Sequence, residues 1–173
     1  MKTLFSVLGI MTLAGCHMMP HSSTGTQARA SLDARSGSSV TGQVNLQDAK
    51  DKVRVSAKVS GLKPNSEHGF HVHEKGDCSA ADASSAGGHF NPDGQPHGHH
   101  GQAKRHAGDM PNLVANDKGE ASASFDVDGL RLDEGKHGIL NRAIVVHANP
   151  DDYQSQPAGN AGGRIACGVI RKM

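Results

Sequence analysis

The chain has 173 residues, with 18 Lys and Arg against 17 Asp and Glu and a formal net charge of +1, so no whole-molecule field draws it to nucleic acid or to an anionic membrane. This length is most simply one domain, and with four Phe, one Tyr and no Trp its core must be built from Val, Ile, Leu and Ala. The 22 Gly and seven Pro predict many turns and long loops, which favours an all-β fold over a helical bundle.

Residues 1–15 read as a signal peptide, with Lys2 as a thin positive n-region and a short apolar stretch over residues 4–13. Past it, no run is long and apolar enough to cross a membrane as a helix. The signal ends in Leu13-Ala14-Gly15-Cys16, which resembles the bacterial lipobox and makes Cys16 the expected lipidation site. An ordinary secretory signal cleaved nearby is the alternative. His17 follows Cys16 where Asp would mark retention at the inner membrane. The expectation is therefore an exported, periplasmic protein held to the outer membrane only through its lipid. Residues 16–27 read as a polar, flexible tether, and the domain is expected over residues 28–173. With Cys16 set aside, Cys78 and Cys167 are left. An exported chain most often pairs two such cysteines; two buried free thiols are the alternative. A bridge would close a loop of about ninety residues, worth roughly 4 kcal/mol in the chain-entropy model.

In chain order, residues 40–46 alternate apolar and polar side chains and predict a strand. Residues 52–60 do the same, with Val53, Val55, Ala57 and Val59 on one face and Arg54, Ser56 and Lys58 on the other. That is the pattern of an antiparallel sheet with one buried and one wet face. After a turn over residues 61–65, Phe70 and Val72 alternate with His71 and His73. Strand residues i and i+2 share a face, so the two imidazoles are expected side by side. Residues 120–127, 139–147 and 164–172 predict three more strands, and short alternating strands between turns suggest a β-sandwich or barrel. Residues 74–112 and 149–163 break the rhythm as long polar loops, which are functional or disordered. The first holds Cys78, His89, His97, His99, His100 and His106. So polar a loop cannot order itself by hydrophobic burial, whereas a disulfide and a metal could tie it down.

The candidate ligands are His71, His73, His89, His97, His106, Asp109 and His147. Imidazole suits zinc, copper, nickel and iron, and the lack of a Met or Cys cluster argues against a soft Cu(I) transport site. One carboxylate among three histidines fits tetrahedral zinc, and an all-histidine set fits copper. Twelve scattered histidines could also make a metal-scavenging surface. That reading does not explain why Asp109 sits in a Gly-Asp turn or why histidines flank two strand ends.

The strings GFHVHEKGDC, GGHFNP, RHAGDMPN, VVHANPDD and GNAGGRIACGVI together resemble the copper/zinc superoxide dismutase family, in the family's order and from about residue 40 to residue 170. The resemblance implies a Greek-key β-sandwich or barrel of about eight antiparallel strands with two long functional loops. It implies copper on His71, His73, His89 and His147, zinc on His89, His97, His106 and Asp109, one of each metal per subunit, and His89 as the bridge. It makes Asp151 the carboxylate behind a copper and a zinc histidine, and Arg164 the residue that guides superoxide. It pairs Cys78 with Cys167, although Cys78 follows Gly-Asp directly, as in bacterial rather than eukaryotic members. The family spacing selects His97 from the crowd of His97, His99 and His100. The latter two are then solvated or an accessory copper-capture patch, while His68 packs at a strand entrance and His137 serves a turn.

The activity implied is dismutation of superoxide to oxygen and hydrogen peroxide by a redox-cycling copper beside a structural zinc, with His89 also carrying a proton. Two other readings belong to different classes. One is a non-catalytic envelope lipoprotein that buffers copper and zinc; the other is a degraded relative, which predicts missing copper ligands although all four are present. The residues support no choice between a monomer and a homodimer.

Overall fold

The computed structural model describes residues 25–173; the expected signal peptide, the expected lipidation site at Cys16 and most of the expected tether lie outside the described residues. Alternation builds the first three strands, β1 (Gln27–Ala34), β2 (Thr41–Ala49) and β3 (Lys52–Ser60). The antiparallel register sets Ala30 opposite Val44 and Val44 opposite Ala57, then Ala28 opposite Leu46 and Leu46 opposite Val55. Each apolar residue thus meets another on the same face, which is what pins a register.

Seven further strands follow: β4 (Glu67–His68), β5 (Phe70–His73), β6 (Leu113–Val114), β7 (Ala121–Asp128), β8 (Ala143–His147), β9 (Arg164–Val169) and β10 (Arg171–Lys172). One eight-stranded sheet runs β5-β8-β9-β1-β2-β3-β7, with β10 also on β1, and every pairing is antiparallel. It curls into a half-barrel, while β4 and β6 form a separate two-stranded ladder. Leu32, Val44, Leu46, Val55, Phe70, Val72, Ile144 and Val146 belong to the enclosed core. The all-β expectation holds.

Besides the unexpected β4–β6 ladder and a β2 that runs on to Ala49, three details differ from the expected strands. The first is β1, which the alternation did not reveal because two of its inward residues are Ala28 and Ala30, with little hydrophobic contrast. The strand expected over residues 139–147 starts only at Ala143, since Asn141 takes a positive φ of 60° and Arg142 N–H bonds back to Ile139 O. Ile139 is fully buried all the same. Last, the strand expected over residues 164–172 breaks at Ile170, whose N–H bonds Arg142 O as the chain passes from β8 to β1.

The half-barrel is not wet all round. Every residue of β5 and β8 is buried. Phe70, Val72, Ile144 and Val146 face the core, and their alternates Ala143 and Val145 join Ala83, Ala86, Cys167 and Cys78 in a second apolar cluster. Residues 74–112 roof this outer face, fastened by the Cys78–Cys167 disulfide across 89 residues. His71 and His73 stand under that roof, paired in register with Val145 and Ala143.

Candidate metal centre

Phe70 and Val72 fill the core, so strand geometry turns His71 and His73 together to the outer face. The roof loop returns along β5: Phe90 N–H bonds Val72 O, Val72 N–H bonds Gly108 O, and His73 faces His89 across an isolated bridge. Gly108 is required there, because a Cβ would collide with the Val72 carbonyl. This return sets His89 and Asp109 beside the β5 pair. His147 ends the neighbouring β8. All seven expected ligands are therefore brought together, and all are buried.

His71, His73, His89 and His147 form one group, with one ring nitrogen of each within 4.8 Å of the others. Their outward nitrogens are already engaged. His71 Nε2 donates to Asp151 Oδ2 (2.8 Å), His73 Nδ1 to Gly87 O (2.9 Å), and His147 Nδ1 to Gly162 O (3.2 Å). Such partners fix tautomer and ring orientation. The inward atoms are then lone pairs. His73 Nε2 and His147 Nε2 face each other at 3.3 Å, and His71 Nδ1 and His89 Nε2 are buried with no hydrogen-bond partner among the described residues. Convergent, dry lone pairs repel unless a cation lies among them, so the donor set fits a copper ion.

The second group is His89, His97, His106 and Asp109. The Nδ1 atoms of His89, His97 and His106 crowd one carboxylate oxygen, Asp109 Oδ1, at 3.0, 3.1 and 3.3 Å. The other oxygen accepts from Gly98 N–H (3.2 Å) and His106 N–H (2.9 Å). Three imidazoles around one oriented carboxylate are the chemistry of a closed zinc site. His89 belongs to both groups, through Nε2 and Nδ1.

Electrostatics separate the two groups. Burial, and then the neighbouring imidazoles, lower His147 to about 3, and burial takes His73 well below the ordinary imidazole value. Burial also lowers His89 to about 4, against the pull of Asp109. These rings are neutral near pH 7, ready to ligate. For His97 burial is outweighed by Asp109 and Asp151, one carboxylate on each ring nitrogen, and its pKa rises to about 9. Burial would raise the Asp109 carboxyl, but His106, His89 and His97 hold it far below the usual carboxylate range.

Asp151 ties the groups together: Oδ2 accepts from His71 and Oδ1 from His97 Nε2 (2.9 Å). Its own backbone is held by the Asn112 amide, which donates to Asp151 O and accepts from Asp151 N–H, both at 3.0 Å. Arg164 Nη1 donates to Ala83 O (2.7 Å) and Nη2 to Gly87 O (2.6 Å). Gly87 O also accepts from His73, so one carbonyl sets both the guanidinium and a copper-group ring. Gly87 holds a φ of +73°, and a Cβ there would collide with Glu74 Oε1. His68 is buried as a packing residue and donates from Nδ1 to His147 O (2.9 Å). His99 and His100 stay outside both groups, their rings 4.0 Å apart. The sequence reading missed Asn112 and the Gly87 carbonyl, although Asn112 closes the string RHAGDMPN that it had singled out.

An antiparallel half-barrel with a histidine group and a histidine–carboxylate group sharing one imidazole defines a protein with a two-metal centre. The comparisons narrow that class. A family model described as copper/zinc superoxide dismutase matches residues 40–170. The copper-zinc superoxide dismutase 2 of Aquifex aeolicus is 44% identical over 136 residues, covering 76% of this chain and 80% of that protein. The copper-zinc superoxide dismutase of Deinococcus radiodurans is 41% identical over 155 residues, covering 83% of each. Among solved structures, the clock protein EA4 superposes with a TM-score of 0.78 at 39% identity, over 87% of this chain and 96% of that one. A double mutant of a SOD-like protein from Bacillus subtilis gives 0.75 at 35% identity, over 83% and 96%. The chain belongs to the copper/zinc superoxide dismutase family, with both metal sites intact.

Proposed function

We propose that this chain is an envelope enzyme, exported and lipid-anchored at Cys16, that converts two superoxide anions and two protons into oxygen and hydrogen peroxide. One observation carries the activity: four buried imidazole lone pairs converge from His71, His73, His89 and His147, and the group shares His89 with a complete zinc group. Copper held there supplies a one-electron couple that can both take an electron from superoxide and return one.

The protein's own residues do the rest. Arg164, half-buried and fixed to two carbonyls, offers the local positive charge that a nearly neutral chain needs, and it draws and orients the anion. His89 Nε2 is the inward lone pair that would accept a proton and pass it to the departing peroxide, while Nδ1 stays on Asp109. Asp151 keeps His71 and His97 in orientation. The buffering alternative accounts for the ligands, and for Arg164 as a tie to two loop carbonyls, but gives its positive charge beside the copper group no task.

Support for the anchor comes from Leu13-Ala14-Gly15-Cys16 and from the disulfide, which suits an oxidising compartment. Cell fractionation tests both halves. Copper-dependent dismutase activity should follow the chain into the outer-membrane fraction, and Cys16→Ser should release it to the soluble periplasm with unchanged specific activity. Soluble activity in both strains would remove the anchor; no dismutase activity in either fraction would remove the enzyme.

A further inference from the structure

Three histidines, His97, His99 and His100, fall within four residues of one loop. Any of their rings could in principle present a nitrogen to Asp109, so ring chemistry does not choose among them. The backbone does. His97 N–H donates to Gln156 Oε1 (2.9 Å), and His97 C=O accepts from Gln156 Nε2 (2.9 Å). A side-chain amide from the 149–163 loop thus pairs with both polar groups of one residue, as a neighbouring strand would. Asn112 grips the backbone of Asp151 in the same way, and Asp151 bonds the His97 ring. The two clamps therefore close on one contact. His99 is turned away: its Nδ1 accepts from Gly101 N–H (3.1 Å), and its ring lies 4.7 Å from that of Tyr153.

We propose that Gln156 is a positioning residue that locks the register of the 97–100 segment, so that His97, and neither His99 nor His100, is the zinc ligand. The proposal rests on the zinc assignment of the His89, His97, His106 and Asp109 group. A slip of two or three residues would present another imidazole to Asp109, and the registers are distinguished by bonds to particular backbone groups: the Gln156 pair on His97, beside the Gly98 N–H bond to Asp109. Gln156 is exposed, so removing its amide leaves no core cavity.

The test replaces Gln156→Leu in the full domain and measures zinc affinity by chelator competition. It also records the visible bands of Co2+ placed in the zinc site of copper-loaded protein. Two lost hydrogen bonds should weaken zinc by about ten- to a hundredfold, and the Co2+ bands should change shape as mixed ligand sets appear. Replacing His99→Gln and His100→Gln together should leave zinc affinity unaltered when Gln156 is present. In the Gln156→Leu background the same pair should weaken zinc further and return the bands to a single form. Wild-type affinity and bands in Gln156→Leu would overturn the proposal. So would a loss that ignores His99 and His100. If the unsubstituted protein binds zinc with no dependence on His106, the zinc assignment itself fails, and the two failures are told apart.

Discussion

At His97 a metal must displace a proton. Its pKa of about 9 follows from Asp109 and Asp151 overcoming burial, so near pH 7 the ring is charged, whereas His89, at about 4, and His147, at about 3, are neutral. Zinc needs the free Nδ1 lone pair. Its uptake by metal-free protein near neutral pH is expected to release about one proton, and affinity should fall by about tenfold per pH unit below about 9. Calorimetry in two buffers of different ionisation enthalpy reads this directly, and zinc binding with no proton release would refute it. Folding stability follows the same sign. The raised pKa stabilises metal-free protein fully below the unfolded value of about 6.5, and the contribution is lost as pH rises through about 9. Arg164 acts differently, since its charge is placed by carbonyls rather than tuned by partners. Arg164→Ala should slow dismutation and flatten its salt dependence with both metals still bound. Unchanged kinetics would take Arg164 out of the mechanism.

The elements explain why these residues meet. β8 is buried on both faces because its inner alternates fill the barrel and its outer alternates support the roof loop. Ile144→Ala, at a fully buried core position, should cost about 2–5 kcal/mol, measured by denaturant unfolding; a loss below about 1 kcal/mol would show that the core can collapse around it. The disulfide holds the other side of the same layer. Replacing Cys78→Ser and Cys167→Ser should lower stability by roughly 4–5 kcal/mol. It should also loosen the segment whose Ala83 and Gly87 carbonyls hold Arg164, visible as faster proteolysis within residues 77–88. Much of this layer was legible: alternation in β3 and the His71–His73 pair follow from side-chain period alone. The alanine-built β1 was not, and neither was Ile139, which reaches the core from a turn.

Across the whole molecule, the two long loops and three strands meet at one place, and that meeting was only partly readable. Ligand types announced metal binding, and the resemblance carried by five strings in order implied the two-metal centre. The contacts that aim the ligands were not legible, because they join distant backbone atoms: Asn112 to Asp151 across 39 residues, Gln156 to His97 across 59, Arg164 to Gly87 across 77. No local pattern encodes such pairs. Charge is likewise a whole-molecule matter. At a formal +1 the protein has no global attraction for an anion, so steering must come from the centre itself and be screened by salt. The most direct measurement is the superoxide dismutation rate of the copper- and zinc-loaded protein at low and high ionic strength. A fast rate that vanishes without copper and falls as salt is added is the predicted result. A fully metallated protein no more active than the same concentration of free copper would contradict the account and leave a metal buffer.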